Sequence, residues 1–232
     1  IPNRDSFQDH FMTASDLTKE RDLRESTPLW ADTPRISVRS GKTPKDNHYD
    51  TIVVGTGISG ALVAHSLHRP GRSMLIVDRR EPVKGSSMAS TAMIQHEIDT
   101  PLTKLRTMIG RKAADRAWQR SARAVLRLEE IVTSLNISCG MRRKQALYLA
   151  GDDMGSRALK AEADARAEAG IEAEFLGAAQ LREHYGLERT AAIVSDISAS
   201  ANPAQLTAGL LRHTASAGAE IVASLEITDL RN

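Results

Sequence analysis

Aromatic side chains are scarce in this chain. Phe, Trp and Tyr make up 3% of 232 residues, too few and too scattered for a base-stacking platform, which argues against nucleic acid as a partner. Charge of one sign is also missing: 31 basic residues stand against 29 acidic ones. No net field results that would draw a polyanion or an anionic membrane surface. Cysteine occurs once, as Cys139, which excludes an internal disulfide framework and a cysteine-based zinc site, so no metal is expected. A single thiol fits a reducing compartment, and its ordinary role is packing, so the expected location is cytoplasmic. No apolar run approaches the length of a bilayer span, and the first residues lack the basic-then-apolar order of a secretory signal. Oligomeric state stays open.

What remains is the composition of a globular chain with 41% hydrophobic residues, enough for one large domain or two small ones. Residues 1–48 are polar, hold four of the eight prolines and show no sustained period. They read as an irregular N-terminal extension, which Trp30 in "TPLWADTP" could pin to the body. At Tyr49 the texture changes. "YDTIVV" is a short apolar run ending at a glycine, and "ISGALVAHSLHR" follows with Ile58, Ala61, Leu62 and His65 at helical spacing. After the breakers Pro70 and Gly71 comes a second compact run, "SMLIVD". A β-α-β unit is predicted.

Further along, Ala114, Trp118, Val125, Leu128, Val132 and Leu135 fall on one face of a helix over 111–136, and Arg116, Arg120, Arg123 and Arg127 on another. The arginine stripe could be a binding surface, but the ordinary reading is a solvated face opposite the core. "KQALYLA" reads as a strand, "RALKAEADARAEAG" as a helix closed by Gly170, and a shorter helix follows at 178–184. "AAIVSDISA" has strand character. "NPAQLTAGLLRHTASAG" opens a helix with Asn202 as N-cap and Pro203 at the first helical position, and "AEIVAS" and "LEITDL" are predicted to be extended.

The motif that carries chemistry is "GTGISG", between the first strand and first helix, with Asp78 eighteen residues past its last glycine. Gly55 permits the tight turn, Gly57 lets backbone N–H groups approach a pyrophosphate without a Cβ in the way, and Gly60 lets helix pack on strand. A carboxylate at the end of the second strand can accept from adenosine ribose hydroxyls. Asp78 would repel a 2′-phosphate at short range, which disfavours NADP despite Arg79 and Arg80, whose ordinary reading is a solvated turn. A plain NAD domain should continue with a helix to a third strand. Instead "GSSMAST" offers small residues and hydroxyls suited to a second contact on a longer dinucleotide, which prefers FAD, although an ordinary loop has the same composition.

Together, "YDTIVVGTGISGALVAHSL", "LIVDRREPVKGSSMASTAMIQHEIDTPL" and "NPAQLTAGLLRHTASAGAEI" resemble the FAD-dependent D-amino-acid oxidase and glycine oxidase family. The resemblance spans about residues 49–230. It implies an α/β, Rossmann-like FAD-binding domain of glutathione-reductase-like topology with part of an inserted α+β substrate domain. It implies FAD contacts from Gly55, Gly57, Ile58, Ser59, Gly60, Asp78 and Arg79, and from Ser86, Ser87, Ser90 and Thr91 as the chain runs toward the flavin ring. "AMIQHEID" would pass near the flavin and makes Gln95 and His96 catalytic candidates, although a lone histidine in a partly apolar segment is more often a packed residue. The implied reaction is hydride transfer from the carbon bearing the nitrogen of a small-molecule amine or amino acid, followed by hydrolysis of the imine. Members of the family run well beyond 232 residues, so a truncated chain, stopping inside the cofactor-binding fold, is expected.

The expected organisation is an extension over 1–48, the β-α-β unit and second cofactor segment over 49–101, a partial substrate domain over 102–193, and a return to the cofactor-binding fold over 194–232. Two rival readings stand beside it: an NAD-dependent dehydrogenase built on the same β-α-β unit, and a non-catalytic FAD-binding fragment or subunit.

Overall fold

The computed structural model describes residues 27–229. The first 26 residues of the predicted extension and the last three of "LEITDL" and its tail lie outside them. The first sheet is built around β2 (Met74–Val77), whose four apolar residues are all buried, as a strand covered on both faces requires. On one side lies β1 (Thr51–Val54), parallel, with Val54 level with Val77; on the other lies β7 (Glu220–Val222), also parallel, with Val222 level with Val77. The crossover between β1 and β2 is α1 (Ile58–Leu67), and β7 is approached by α6 (Pro203–Ser216). Val53, Ile76 and Ile221 form one core with Ala61 and Ala64 of α1 and Leu206 and Leu210 of α6. Leu75, Val77 and Val222 face the other way, against Tyr49 and Leu225.

Helix α6 forms where its caps predict. The Asn202 side chain accepts from the N–H groups of Ala204 (3.1 Å) and Gln205 (3.0 Å), and Pro203 occupies the first turn. Gly209 matters on its buried side, because a Cβ there would sit 2.4 Å from Ile137 Cγ2.

Residues 27–48 hold no helix or strand, as predicted, yet they are docked. Gly41 makes a single parallel bridge to Val222, the Gln205 amide donates to the Pro34 carbonyl, and Arg212 donates to the Arg35 and Ser37 carbonyls. The segment therefore covers the outer edge of β7. Trp30 packs on the main core and its indole N–H donates to the Ser90 carbonyl at 2.9 Å.

The second sheet is centred on β6 (Ala191–Ser200). β4 (Arg142–Leu149) runs antiparallel along one side, while β5 (Glu174–Gly177) and β3 (Met93–Gln95) share the other. A register shift between Lys144 and Ala146 interrupts the β4 ladder. Helices α2 (Leu102–Ile109), α3 (Arg111–Ser134) and α4 (Ser156–Glu168) pack together beside it, and α5 (Ala178–Tyr185) follows β5. Helix α3 has the predicted faces: Ala114, Trp118, Val125 and Val132 are buried, and Arg116, Arg120, Arg123 and Arg127 are exposed. Gly170 closes α4 with a positive φ of 70°.

The sequence reading needs correcting at several elements. β3, β5 and α2 were not anticipated; three to eight residues are too few for a period to stand out. Residues 225–229 enter no strand, so only three residues of the two extended segments predicted at the end join the sheet. The small-residue stretch is not an open loop either, because Ser86–Ala89 form one turn of 3₁₀ helix.

Candidate functional site

The turn from β1 to α1 is set by its glycines. Gly55 has φ +112°, a conformation L side chains rarely adopt, and its N–H donates to the Val77 carbonyl at 2.7 Å, tying the turn to the neighbouring strand. Gly60 is the tightest position: a Cβ there would lie 1.9 Å from the Gly55 carbonyl oxygen, so the first turn of α1 rests directly on the loop backbone. A Cβ on Gly57 would meet the Ser87 hydroxyl at 3.3 Å, a much milder approach. The first-turn N–H groups of an α-helix have no intrahelical acceptor. That of Ile58 donates to Ser87 Oγ at 2.9 Å, and those of Ser59 and Gly60 have no acceptor among the described residues. The helix thus presents unpaired donors and its positive dipole end at this turn.

Asp78 directly follows β2 and reaches back to the loop. Its Oδ2 accepts from the Thr56 N–H (2.7 Å) and hydroxyl (2.8 Å), and its Oδ1 from the Arg80 N–H (2.9 Å). Burial acts against the charged form, but the Arg80 and Thr56 donors outweigh it and hold the carboxyl below its ordinary value. The group is an anion at neutral pH, half-buried, with lone pairs left for further donors. Thr56 went unremarked in the sequence reading. Its place between two motif glycines, a helix and a strand ahead of an acid, is the only signal it gives.

The four hydroxyl residues of the following segment divide. Ser87 is buried and its hydroxyl fixes the start of α1, whereas Ser86, Ser90 and Thr91 are exposed. Ala92 adopts a positive φ of 65° between them and β3. Among the described residues Arg79 makes only an exposed ion pair, with Glu226 at 3.7 Å.

Gln95 and His96 part company at the end of β3. Ile94 packs into the main core, so Met93 and Gln95 lie on the opposite, exposed face of the strand. His96 turns inward and is fully buried, its ring edge-on to Trp118 at 5.9 Å. Its Nδ1 lies 3.0 Å from the Ile197 carbonyl, which can only accept, so the proton of the neutral ring sits on Nδ1. Burial holds its pKa below the ordinary histidine value, against the opposing pull of Glu97.

Behind His96 lies a buried ionic cluster that no local motif announced. Glu162, fully buried, accepts from the N–H groups of Leu102 and Thr103 (both 2.8 Å) and from the Thr103 hydroxyl (2.7 Å), and so caps α2 from a different helix. It also accepts from Arg166 Nε at 3.0 Å. Burial would raise its pKa, yet these donors hold it below the ordinary range. Among the described residues no group of three His, Cys, Asp or Glu side chains is placed to hold a metal ion, and no helix is long and apolar enough to cross a membrane.

Comparison with known proteins adds to this geometry. The family model "DAO: FAD dependent oxidoreductase" matches residues 50–232. Among solved structures, glycine oxidase from Geobacillus kaustophilus superposes with TM-score 0.60 at 23% identity, over 79% of this chain and 48% of that one. L-amino acid deaminase from Proteus vulgaris, lacking its specific insertion sequence, gives 0.65 at 18% identity, over 83% and 49%. L-proline dehydrogenase from P. horikoshii gives 0.60 at 18%, over 78% and 45%. The chain thus spans about half the length of these structures, and at such identities the likeness shows the fold. No curated protein sequence matches. Nothing in these comparisons supports the NAD-dependent alternative.

Proposed function

The chain belongs to the DAO family of FAD-dependent oxidoreductases, whose cofactor is FAD, and from that premise we propose that it is the cofactor-holding part of an enzyme oxidising the C–N bond of an amino acid or of a primary or secondary amine. The observation that carries the reading is the junction of loop, helix and acid. Gly60 leaves no room for a Cβ against Gly55, the amides of Ser59 and Gly60 have no acceptor among the described residues, and Asp78 is held as an anion one strand away. That donor and acceptor set fits FAD: the amides and Gly57 suit a pyrophosphate, and the carboxylate suits ribose hydroxyls.

In this proposal Gly55, Gly57, Ile58, Ser59 and Gly60 hold the pyrophosphate, and Thr56 aims the Asp78 carboxylate at the ribose. Ser87 fixes the loop and keeps its own O–H to donate. Ser86, Ser90 and Thr91 offer exposed hydroxyls to the middle of the cofactor, and Arg79 stands at the ribose end as an exposed surface charge. Gln95, on the exposed face of β3, is the polar side chain next in line to orient substrate. His96 acts from behind as a positioning residue for this strand end. The chemistry that FAD supplies when bound is acceptance of a hydride from the carbon bearing the substrate nitrogen. The chain's own task is to hold cofactor and substrate in register. Division of the chain at residues 49–101, 102–193 and 194–232 is part of the proposal.

The test is direct. Titration of the purified chain with FAD, followed by flavin fluorescence, is expected to saturate, and NAD is expected not to compete. Binding of NAD and not FAD would overturn the reading. Flavin that binds but is bleached anaerobically by no amine or amino acid would instead identify a non-catalytic FAD-binding module.

A further inference from the structure

The C-terminal ends of α1 and α6 meet at two imidazoles that the fold leaves without counter-charge. Ala61 and Ala64 of α1 share the main core with Leu206 and Leu210 of α6, and the two helices pack along that seam. His65 continues the first row and His213 the second. Their rings stand edge to face, with centroids 5.8 Å apart and planes at 67°. His65 is half-buried at the seam, and His213 is exposed. Neither side chain makes a hydrogen bond or an ion pair with another described residue.

The charges that face His65 are all of one sign. Burial opposes its protonation first, followed by His213 across the seam, Arg127 of α3 and His68 one turn along α1, and together they hold its pKa below the ordinary histidine value. Arg127 has its own partner in Glu130 at 3.2 Å, both exposed, and no carboxylate of the described residues acts on His65 itself. The free carbonyls at the two helix ends favour a cation nearby, but burial and three cationic neighbours outweigh them. We propose that the His65–His213 contact is an acid-sensitive latch between α1 and α6. With both rings neutral it closes the end of the seam; with a proton on each, two like charges stand 5.8 Å apart and the helix ends part. Opening there reaches the glycine loop, because α1 is one helix of ten residues and its first turn, on the order of 15 Å away, rests on that loop. Resting on the reading that this turn holds FAD, the latch makes flavin affinity fall with pH.

Hydrogen exchange of the full chain without flavin, corrected for the pH dependence of intrinsic exchange, reads the latch apart from the cofactor. Between about pH 7.5 and about pH 5.5, protection of the amides over 61–68 and 210–217 is expected to fall. The fall should be at least about threefold, the effect of two unit charges at that separation even in bulk water. His65→Gln and His213→Gln should each keep most of the protection at the lower pH, whereas His96→Gln should leave the local loss in place. Equal protection of the wild-type chain at both pH values would overturn the proposal. So would an acid loss that persists undiminished in His213→Gln, as a merely structural role for the rings requires. FAD titration at the same two pH values tests the coupling: wild-type affinity should drop about threefold more than that of His213→Gln. Matching drops would overturn the coupling alone, and failure to bind FAD at the higher pH would overturn the flavin reading while leaving the latch.

Discussion

The glycine loop on the first sheet and the ionic cluster beside the second place polar groups under opposite constraints. At the loop, donors are left unpaired where the chain is half-exposed, and the shape is fixed by the absence of Cβ atoms and by backbone hydrogen bonds to β2. In the cluster, full charges are buried, and the shape is fixed by the matching of Glu162 to Arg166 and to the α2 amides. The loop tolerates an empty donor because solvent or a ligand can reach it. The cluster cannot, so every mismatch there draws on stability.

If that contrast holds, the largest effect comes from adding atoms to the loop. Gly60→Ala forces a Cβ into the Gly55 carbonyl, and the β1–α1 junction must open. The expected loss is on the order of 5 kcal/mol in urea unfolding, or failure to fold. Glu162→Gln comes next, because it leaves the buried Arg166 with only the more distant Glu97 carboxylate, 3.6 Å away, to match its charge, and weakens the α2 cap. About 3 to 5 kcal/mol should be lost by the same measurement, with any flavin affinity changed far less. A finding that Glu162→Gln is harmless would erase the distinction between the two regions.

Asp78→Ala should invert the pattern, sparing stability relative to Glu162→Gln and weakening FAD by about 1 to 3 kcal/mol in a fluorescence titration. A smaller effect belongs to His96. Its folded pKa lies below its unfolded value near 6.5, so the unfolded chain binds more protons between the two. Stability is full above the unfolded value and falls as pH drops toward the folded one. Urea midpoints compared between about pH 7.5 and about pH 5.5 should show that slope, and His96→Gln should flatten it. Smallest is Arg79→Ala, which breaks one exposed ion pair and should move stability by no more than about 0.5 kcal/mol.

The same contrast explains what could be read in advance. The loop and its acid were legible because strand, glycines, helix and Asp78 follow one another within one β-α-β unit, and each residue type answers a local steric or polar need. Asn202, Pro203 and Gly170 were legible for the same reason. The cluster was not, because Glu97, Glu162 and Arg166 meet only after α2, α3 and β4 have folded between them. In the sequence, Glu162 and Arg166 look like an i,i+4 pair on an alanine-rich surface helix, whereas both are buried. Ser87 shows an intermediate case: its hydroxyl was expected to face a cofactor, and its first partner is the Ile58 amide.

Trp30 has a further consequence for watching the molecule at work. The chain has two tryptophans, and they report from different places: Trp118 is wholly enclosed against the Arg166 cation, while Trp30 is hydrogen-bonded to the backbone of the second cofactor segment. Emission from the two should therefore separate by colour and by access to a soluble quencher. A flavin dinucleotide settling along residues 86–91 would lie beside the Trp30–Ser90 hydrogen bond, so a change in Trp30 emission would give a label-free signal of occupancy there.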